Sequence, residues 1–264
     1  MYSPIQVPYI VNPIYQKYFK YPAIVIPSLQ DFVICLWEHQ SLTQDSYEVN
    51  DLIIPDGCID LFIDFKKQSI EFSGISKTEY DFYSHTSESY LAATLKPGAF
   101  GQLTGRPTTE VMDSFLSISE FKIPFNLNYF FYLSYSQQKE YFIDYLHQLI
   151  EGHTPNQFIK LIDRFSPIPA STIQDLCQDL VVGTRQCQQL FKKYYGISPQ
   201  LMLLTLRFQY CLKILTDPHA SEKKLIALHY YDQSHLIKDF KKHIGFTPLE
   251  FVQLCKEFKA QPLD

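Results

Sequence analysis

The chain contains an internal repeat. The segment FKKYYGISP at residues 191–199 returns as FKKHIGFTP at residues 240–248. Each copy resembles the end of a helix, because lysines suit the negative end of the helix dipole, glycine suits the position just past the last turn, and Ser-Pro or Thr-Pro opens a new helix. One supersecondary unit therefore occurs twice, which is too few copies for a solenoid but suits contact with one extended partner at two equivalent places. Double-stranded DNA is such a partner.

The two halves of the chain differ in the sign of their charge. The 264 residues carry a net charge of -5, but residues 1–165 hold 11 basic and 19 acidic side chains, whereas residues 166–264 hold 12 and 9. A modestly basic module is what contacts to phosphates require, although a solvated helical surface has a similar composition. The length favours two domains, of which the second is the basic one.

The hydrophobic period also changes along the chain. Short apolar runs broken by turn signals extend from Ala23 to about Leu95, and a helical period follows from about Thr108. This predicts an α+β fold, with an N-terminal antiparallel β-barrel, linker helices and an all-α C-terminal domain. We place the β-rich sensor or pairing domain at 1–122, the helical linker at 123–165, and the domain with both helix-turn-helix units at 166–264.

One apolar stripe in the linker has two interpretations. A helix predicted from Gln137 to Ile150 carries the stripe Tyr141, Phe142, Tyr145, Leu146 and Leu149. The stripe is either part of the core or the seam of a homodimer, and the sequence leaves both open.

The C-terminal half can be divided into individual helices. In the first unit the predicted helices run from Ser171 or Thr172 to Leu180 and from Thr184 to Tyr195, and the connecting helix runs from Pro199 to Leu215. The second unit follows with helices at Lys223–Leu228, Gln233–His243 after an Asp232 cap, and Pro248–Lys259. The second helix of each unit buries one stripe, predicted as Cys187, Leu190, Phe191 and Tyr194 in the first and Leu236, Phe240 and Ile244 in the second.

The opposite faces of these two helices carry polar and basic side chains. Side chains that can donate to base edges are predicted to contact bases, namely Arg185, Gln188, Gln189, Ser234, His235 and Lys238. Helix N-termini and flanking lysines are predicted to hold phosphates, namely Thr184, Lys192, Lys193, Gln233, Lys241 and Lys242. We expect residues 166–264 alone to bind duplex DNA.

These residues resemble a known family. The stretches YYDQSHL at 230–236, DFKK at 239–242 and GFTP at 245–248 are similar to the signature of the AraC/XylS transcriptional regulators, and Arg185-Gln186, Phe191, Gly196, Ser198-Pro199 and Arg207 agree in the first unit. The resemblance implies a double helix-turn-helix DNA-binding domain from about Ser171 to Phe251. Val181 and His229 depart from the family pattern, since they occupy the usual position of a turn glycine, which puts the geometry of both turns in question. The other departures are Cys177, Leu225 and Gln189.

The N-terminal half resembles the cupin-like sensor region found in one branch of these regulators. The resemblance covers roughly residues 20–120 and rests on PDGCID at 55–60 and LKPGAF at 95–100. No paired His motif accompanies His39 or His85, so we predict no metal site and no cofactor. Asp56 and Asp60 are either ligand-binding residues or members of an Asx-type turn, of which the turn is favoured.

The cysteines allow a second class of function. Six cysteines without C-x-x-C spacing, and the lack of a leader or an uninterrupted apolar stretch, predict a cytoplasmic protein that does not enter a membrane. Cys35 or Cys58 could accept an alkyl group, as in DNA-repair proteins that resemble fusions of the same helix-turn-helix domain. No nucleophile motif supports this, so we predict that the protein is not an enzyme.

The predicted function is therefore that of a sequence-specific DNA-binding transcriptional regulator. Control by a small effector bound to the N-terminal domain is the favoured mechanism, although the sequence does not locate its binding site. The alternative is an N-terminal domain that only pairs subunits.

Overall fold

The computed structural model describes residues 2–6, 17–78, 80–120, 124–166, 171–217 and 233–258. Within these ranges the N-terminal half is built on antiparallel strands. They are β1 Phe19–Lys20, β2 Ala23–Ile24, β3 Val33–Ser41, β4 Glu48–Ile53, β5 Ile59–Asp64, β6 Ser69–Ser73, β7 Tyr80–His85, β8 Tyr90–Leu95 and β9 Phe115–Ser117.

The strands form two sheets. The larger has the order β1-β3-β8-β5-β6-β9, with β2 also paired to β3, and the smaller consists of β4 and β7. Period-2 alternation assigns the faces of the larger sheet: Leu61 and Ile63 of β5 are fully buried, while Asp60 and Phe62, which alternate with them, are half-buried. Cross-strand partners continue the buried face, since Leu61 lies opposite Phe72 and Ala93.

The prediction of an antiparallel β-domain in an α+β chain is confirmed, but the prediction of a closed barrel is wrong. Among the described strands, the edge strands β1 and β9 do not pair with each other. They are only two and three residues long, so they offer few groups for closure. Helices cover the apolar face instead, and that burial makes closure unnecessary.

Nine α-helices are described. They are α1 Ala99–Thr104, α2 Leu127–Tyr132, α3 Tyr135–Ile150, α4 Gln157–Phe165, α5 Ile173–Leu180, α6 Thr184–Tyr195, α7 Pro199–Thr216, α8 Gln233–Ile244 and α9 Pro248–Phe258. Local capping chemistry explains several of their starts. The Asn156 side chain accepts the Phe158 and Ile159 amides at the start of α4, and Ser198 caps α7 by accepting the Leu201 amide.

The apolar stripe of α3 belongs to the core of the chain. Phe142, Tyr145, Leu146 and Leu149 are buried, and Tyr141 is half-buried against the same cluster. That cluster includes the buried face of the sheet and continues into α5, α6 and the first half of α7. The core interpretation of the stripe therefore accounts for its burial within one chain.

Some predictions lie outside the described residues. These are the helix at Lys223–Leu228 with Leu225, the turn at His229, and the Asp232 cap. The predicted domain boundaries at 122 and 165 stay predictions.

Candidate nucleic-acid interface

The first helix-turn-helix unit begins with a capping box. The Thr172 hydroxyl accepts the Asp175 amide at 3.3 Å, and the Asp175 carboxylate accepts the Thr172 amide at 2.6 Å. The hydrogen bonds that the Thr172 amide and hydroxyl donate to this carboxylate hold the pKa of Asp175 below its usual range. Of the two caps that the sequence allowed, Thr172 is the one that the structure shows. The helices α5 and α6 have the predicted bounds.

The repeated segment forms the same helix end in both units. Gly196 follows α6 with φ +72°, and Gly245 follows α8 with φ +76°. Their amides donate to the carbonyls of Lys192 and Lys241, each four residues earlier. The left-handed backbone favours glycine, which confirms the role predicted for it at both copies.

The turn between α5 and α6 is left-handed at Val181, the position where the sequence put the turn geometry in question. Val181 adopts φ +55° and ψ +49°, and its side chain is 89% exposed. A β-branched residue is a genuine outlier in this left-handed region. The valine therefore holds the turn in a backbone geometry that favours glycine.

The face of α6 opposite the core is open to solvent. Cys187 and Phe191 are fully buried as predicted, while Leu190 and Tyr194 are half-buried. All the predicted contact residues of this helix are exposed, namely Thr184, Arg185, Gln188, Gln189, Lys192 and Lys193. No described carboxylate pairs with Arg185, Lys192 or Lys193, and the ammonium group of Lys193 lies 5.2 Å from the centre of the Tyr194 ring.

The helix α8 presents a similar face. Phe240 and Ile244 are buried as predicted, and Leu236 is half-buried. Ser234, Lys238, Lys241 and Lys242 are exposed. The side chains of Gln233 and His235 lie outside the described set. The division of all twelve side chains into base and phosphate contacts stays a prediction.

The sequence did not indicate how firmly the end of α6 is fixed. Tyr195 is fully buried, and its hydroxyl donates to the Phe158 carbonyl of α4 at 2.5 Å. The Phe158 ring stacks on Tyr194 with centroids 3.7 Å apart, and the Thr108 hydroxyl donates to the Tyr194 carbonyl at 2.9 Å. The helical period was the available signal, because Tyr195 lies four residues after Phe191. We call these four residues the α6 joint.

The second unit has a separate core. Phe208, Cys211, Leu212 and Ile214 of α7 pack with Phe240 and Ile244 of α8 and with Phe251 of α9. The rings of Phe208 and Phe240 lie 5.4 Å apart. A capping box between Thr247 and Glu250 starts α9 and holds the pKa of Glu250 below its usual range.

The two acidic residues of the PDGCID segment have different roles. Asp56 forms the predicted turn, since its carboxylate accepts the Cys58 amide at 2.8 Å. Asp60 lies within β5, where it accepts hydrogen bonds from the Thr94 hydroxyl at 2.5 Å and the Trp37 indole at 3.3 Å. Burial and the nearby Asp56 raise the pKa of Asp60 to about 7. The expectation of a solvated acid is therefore wrong for this residue.

The described ranges also bear on metal binding and on membrane insertion. They contain no group of three or more His, Cys, Asp or Glu side chains arranged to hold a metal ion. None of the helices described there is long and apolar enough to cross a membrane.

Comparisons with known proteins match both halves of the chain. Residues 26–117 match a family described as a domain of unknown function, DUF6597, and residues 176–253 match the family described as a helix-turn-helix domain. No curated protein matches the sequence.

Solved structures of ToxT from Vibrio cholerae are similar to the chain. One at 1.65 Å resolution has 13% identity and a TM-score of 0.37, and the match covers 90% of this chain and 98% of that one. A second structure is that of wild-type ToxT from strain SCE256 with bound unsaturated fatty acid. It has 11% identity and a TM-score of 0.37, and the match covers 96% of this chain and 98% of that one.

Proposed function

The chain carries an AraC-type helix-turn-helix domain at residues 176–253, C-terminal to a domain of unknown function at residues 26–117, and from this premise we propose that it is a sequence-specific DNA-binding transcriptional regulator. The observation that carries the proposal is the repeated unit. It presents two helices, α6 and α8, each with a buried stripe and an exposed polar and basic face. Recognition helices of helix-turn-helix proteins enter successive turns of the major groove, about 34 Å apart.

The chemistry of the exposed faces supports two kinds of contact. Arginine, glutamine and lysine near the N-terminal part of a recognition helix can donate to base edges, as Arg185 and Gln188 do in this proposal. Lysines in the last turn, such as Lys192 and Lys241, hold the phosphate backbone. Because the cations of α6 have no described carboxylate partner, they can displace counterions from DNA without first breaking an ion pair.

The first test is binding of the full chain to a pool of random duplex DNA. The full chain is required because the α6 joint places Phe158 and Thr108 under the first unit, so the fragment 166–264 that the sequence suggested would expose Tyr195. We expect enrichment of one sequence class and an affinity that falls steeply with salt, by about 10³-fold between 50 and 200 mM for six or more phosphate contacts. A folded chain that enriches no sequence would refute the proposal.

The second test separates base contacts from phosphate contacts. Arg185→Ala and Lys238→Ala should each relax sequence preference at a cost of about 1 to 3 kcal/mol in binding. Lys192→Ala and Lys241→Ala should weaken all sequences alike and reduce the salt slope by about one unit. Lys160→Ala is a matched control, because it removes an exposed cation of α4 outside both faces. The same selected consensus and slope for every variant would contradict the division.

We further propose that a small effector acts through the N-terminal half by binding the half-buried face of the sheet. Trp37 and Phe62 lie on this face, each opposite Ala92 of β8, and Asp60 is beside them. Aromatic surface with a few convergent polar groups is typical of small-molecule sites. An effector must favour one arrangement of the protein over another to change DNA binding.

The single tryptophan of the chain gives a direct assay of this proposal. Metabolite fractions that change Trp37 fluorescence should also shift the melting temperature and the DNA affinity. If no fraction does so and DNA binding requires a dimer, the domain only pairs subunits, which is the alternative.

The alternative of cysteine-dependent alkyl transfer lacks chemical support. Burial raises the pKa of Cys35 to about 12 and that of Cys58 well above its usual value. Both groups are therefore protonated at neutral pH, whereas the thiolate is the nucleophile. A DNA-binding regulator with free thiols is consistent with the proposed cytoplasmic location.

A further inference from the structure

The connecting helix α7 belongs to two cores in succession. Met202 and Leu206 are buried in the cluster shared by the sheet and the first unit. Phe208 and Leu212 are buried in the cluster of the second unit. The change of cluster falls between residues 206 and 208, so this point of α7 determines how the two units sit relative to each other.

The loop between β4 and β5 contacts α7 on both sides of that change. Ile54 is 1% exposed and packs in the second cluster. Gly57, with φ +76°, passes so close to Met202 that an added Cβ would lie 3.3 Å from the methionine Cε. The loop is continuous with β5 at the centre of the larger sheet, and it therefore connects the sheet to both units.

A buried amide ties α7 to this loop. Gln209 is 3% exposed, and its Nε2 donates to the Pro55 carbonyl at 3.3 Å. Its Oε1 accepts the Ile5 amide at 2.7 Å. The segment around Ile5 is itself held to the loop, because Gln6 Nε2 donates to the Asp56 carboxylate at 2.9 Å and to the Ile54 carbonyl at 3.3 Å.

We propose that Gln209 is a positioning residue for DNA binding, which holds α7 against the 54–57 loop and so sets the spacing of the two half-sites read by α6 and α8. This inference rests on the proposed DNA-binding function. The helix α6 is fixed to the sheet domain at the α6 joint, while α8 is fixed to the second half of α7 through Phe208 and Phe240. Among the described residues, Gln209 is a polar connection near the point where these two attachments meet. A change of one base pair in the spacing moves a half-site by only about 3.4 Å. The protein can discriminate against that change only if the connection is rigid.

Removing the amide leaves two partly buried backbone groups without their partner. Gln209→Met keeps the length and shape of the side chain but leaves the Pro55 carbonyl and the Ile5 amide unpaired. The relation between α6 and α8 then becomes less defined, although each helix keeps its own exposed face. The variant should therefore bind a single half-site as well as the wild type does.

The experiment uses the full chain and the duplex that the wild type selects from a random pool. One base pair is inserted or deleted between the two half-sites, and the dissociation constants are compared. We expect the spacing change to weaken DNA binding by roughly tenfold in the wild type and by less than about threefold in Gln209→Met. Coupling between two sites usually changes affinity by about 5- to 150-fold. Gln200→Met is the matched control, since it changes an exposed glutamine of the same helix, and it should keep the wild-type discrimination. Gln209→Glu keeps an acceptor for Ile5 but loses the donor to Pro55, so an intermediate value is expected.

The outcomes separate the inference from the proposed function. A wild type that selects no DNA refutes the proposed function, whereas one that selects a single half-site overturns only the positioning role. A folded Gln209→Met with lower melting temperature and unchanged discrimination also overturns it. If Gln209→Met does not fold, Ile54→Val tests the inference instead. It removes one methyl group from the contact between the 54–57 loop and the second cluster. Reduced discrimination in that variant supports the inference, and unchanged discrimination refutes it.

Discussion

The two helix-turn-helix units share a sequence motif but occupy different environments. Gly196 and Gly245 end α6 and α8 with nearly the same backbone angle. An added Cβ at Gly196 would lie 2.3 Å from Met112 Sδ and 3.3 Å from Thr108 Cγ2, whereas one at Gly245 meets no described atom within 4 Å. The repeat therefore determines the local helix end, while the sheet domain determines how closely each end is packed. The first unit is part of the main core, and the second has a smaller core of its own.

The largest expected effect on stability comes from alanine substitutions at the two glycines. Gly245→Ala should lower the free energy of unfolding by about 1 to 2 kcal/mol, the cost of a Cβ in the left-handed region. Gly196→Ala should cost about 2 to 4 kcal/mol, because overpacking against Met112 is added. Urea unfolding of the full chain measures both. Met112→Ala combined with Gly196→Ala should recover part of the difference, and equal costs at the two glycines would contradict the comparison.

A smaller effect is expected from pH, through Asp60. Its pKa of about 7 lies above that of an unfolded aspartate, so the folded state binds the proton more tightly. Stability should therefore fall as pH rises from about 4 to about 7, by about 2 kcal/mol since the residue is partly accessible. Hydrogen exchange should show the loss in α6, which shares the sheet core, more than in α8. Asp60→Asn should flatten the profile, and an unchanged slope in that variant would assign the effect to other groups.

The local features of these units could be predicted from the sequence, whereas their attachments could not. The start at Thr172 and the ends at Gly196 and Gly245 depend on side chains and backbone angles within a few residues. The predicted stripe includes Tyr194 and misses Tyr195, because the group that the Tyr195 hydroxyl contacts is the Phe158 carbonyl of another helix. The exposed faces followed from the same period once the buried residues were known.

Whether the sheet closes into a barrel could also not be predicted from the sequence. Alternation predicted strands such as Ile59–Asp64, but closure depends on whether distant edge strands meet. The role of Gln209 could not be predicted either, because both of its partners are backbone groups of residues distant in the sequence.

The next prediction tests the α6 joint. Tyr195→Phe keeps the ring and removes the hydroxyl that donates to the buried Phe158 carbonyl, so this link between α6 and α4 is lost. We expect the free energy of unfolding to fall by about 1 to 2 kcal/mol. Tyr194→Phe is the matched control, since it keeps the stack on Phe158 and should change stability by less than about 0.5 kcal/mol. If both variants are as stable as the wild type, the hydrogen bond does not hold the first unit to the sheet domain.

The smallest expected effect on stability concerns the turn of the first unit. A substitution there changes the first unit alone and leaves the sheet domain unaltered. Val181 is highly exposed and left-handed, so its side chain adds strain without adding core packing. Val181→Gly should raise the free energy of unfolding by about 1 kcal/mol, because relief of the left-handed strain outweighs the extra freedom of glycine in the unfolded chain. Val181→Ala removes only the β-branch and should give a smaller gain. A urea midpoint that is unchanged or lower in Val181→Gly would show that the turn is not strained. Because α6 is also held by the joint, the gain should appear in stability and leave the selected DNA sequence unchanged.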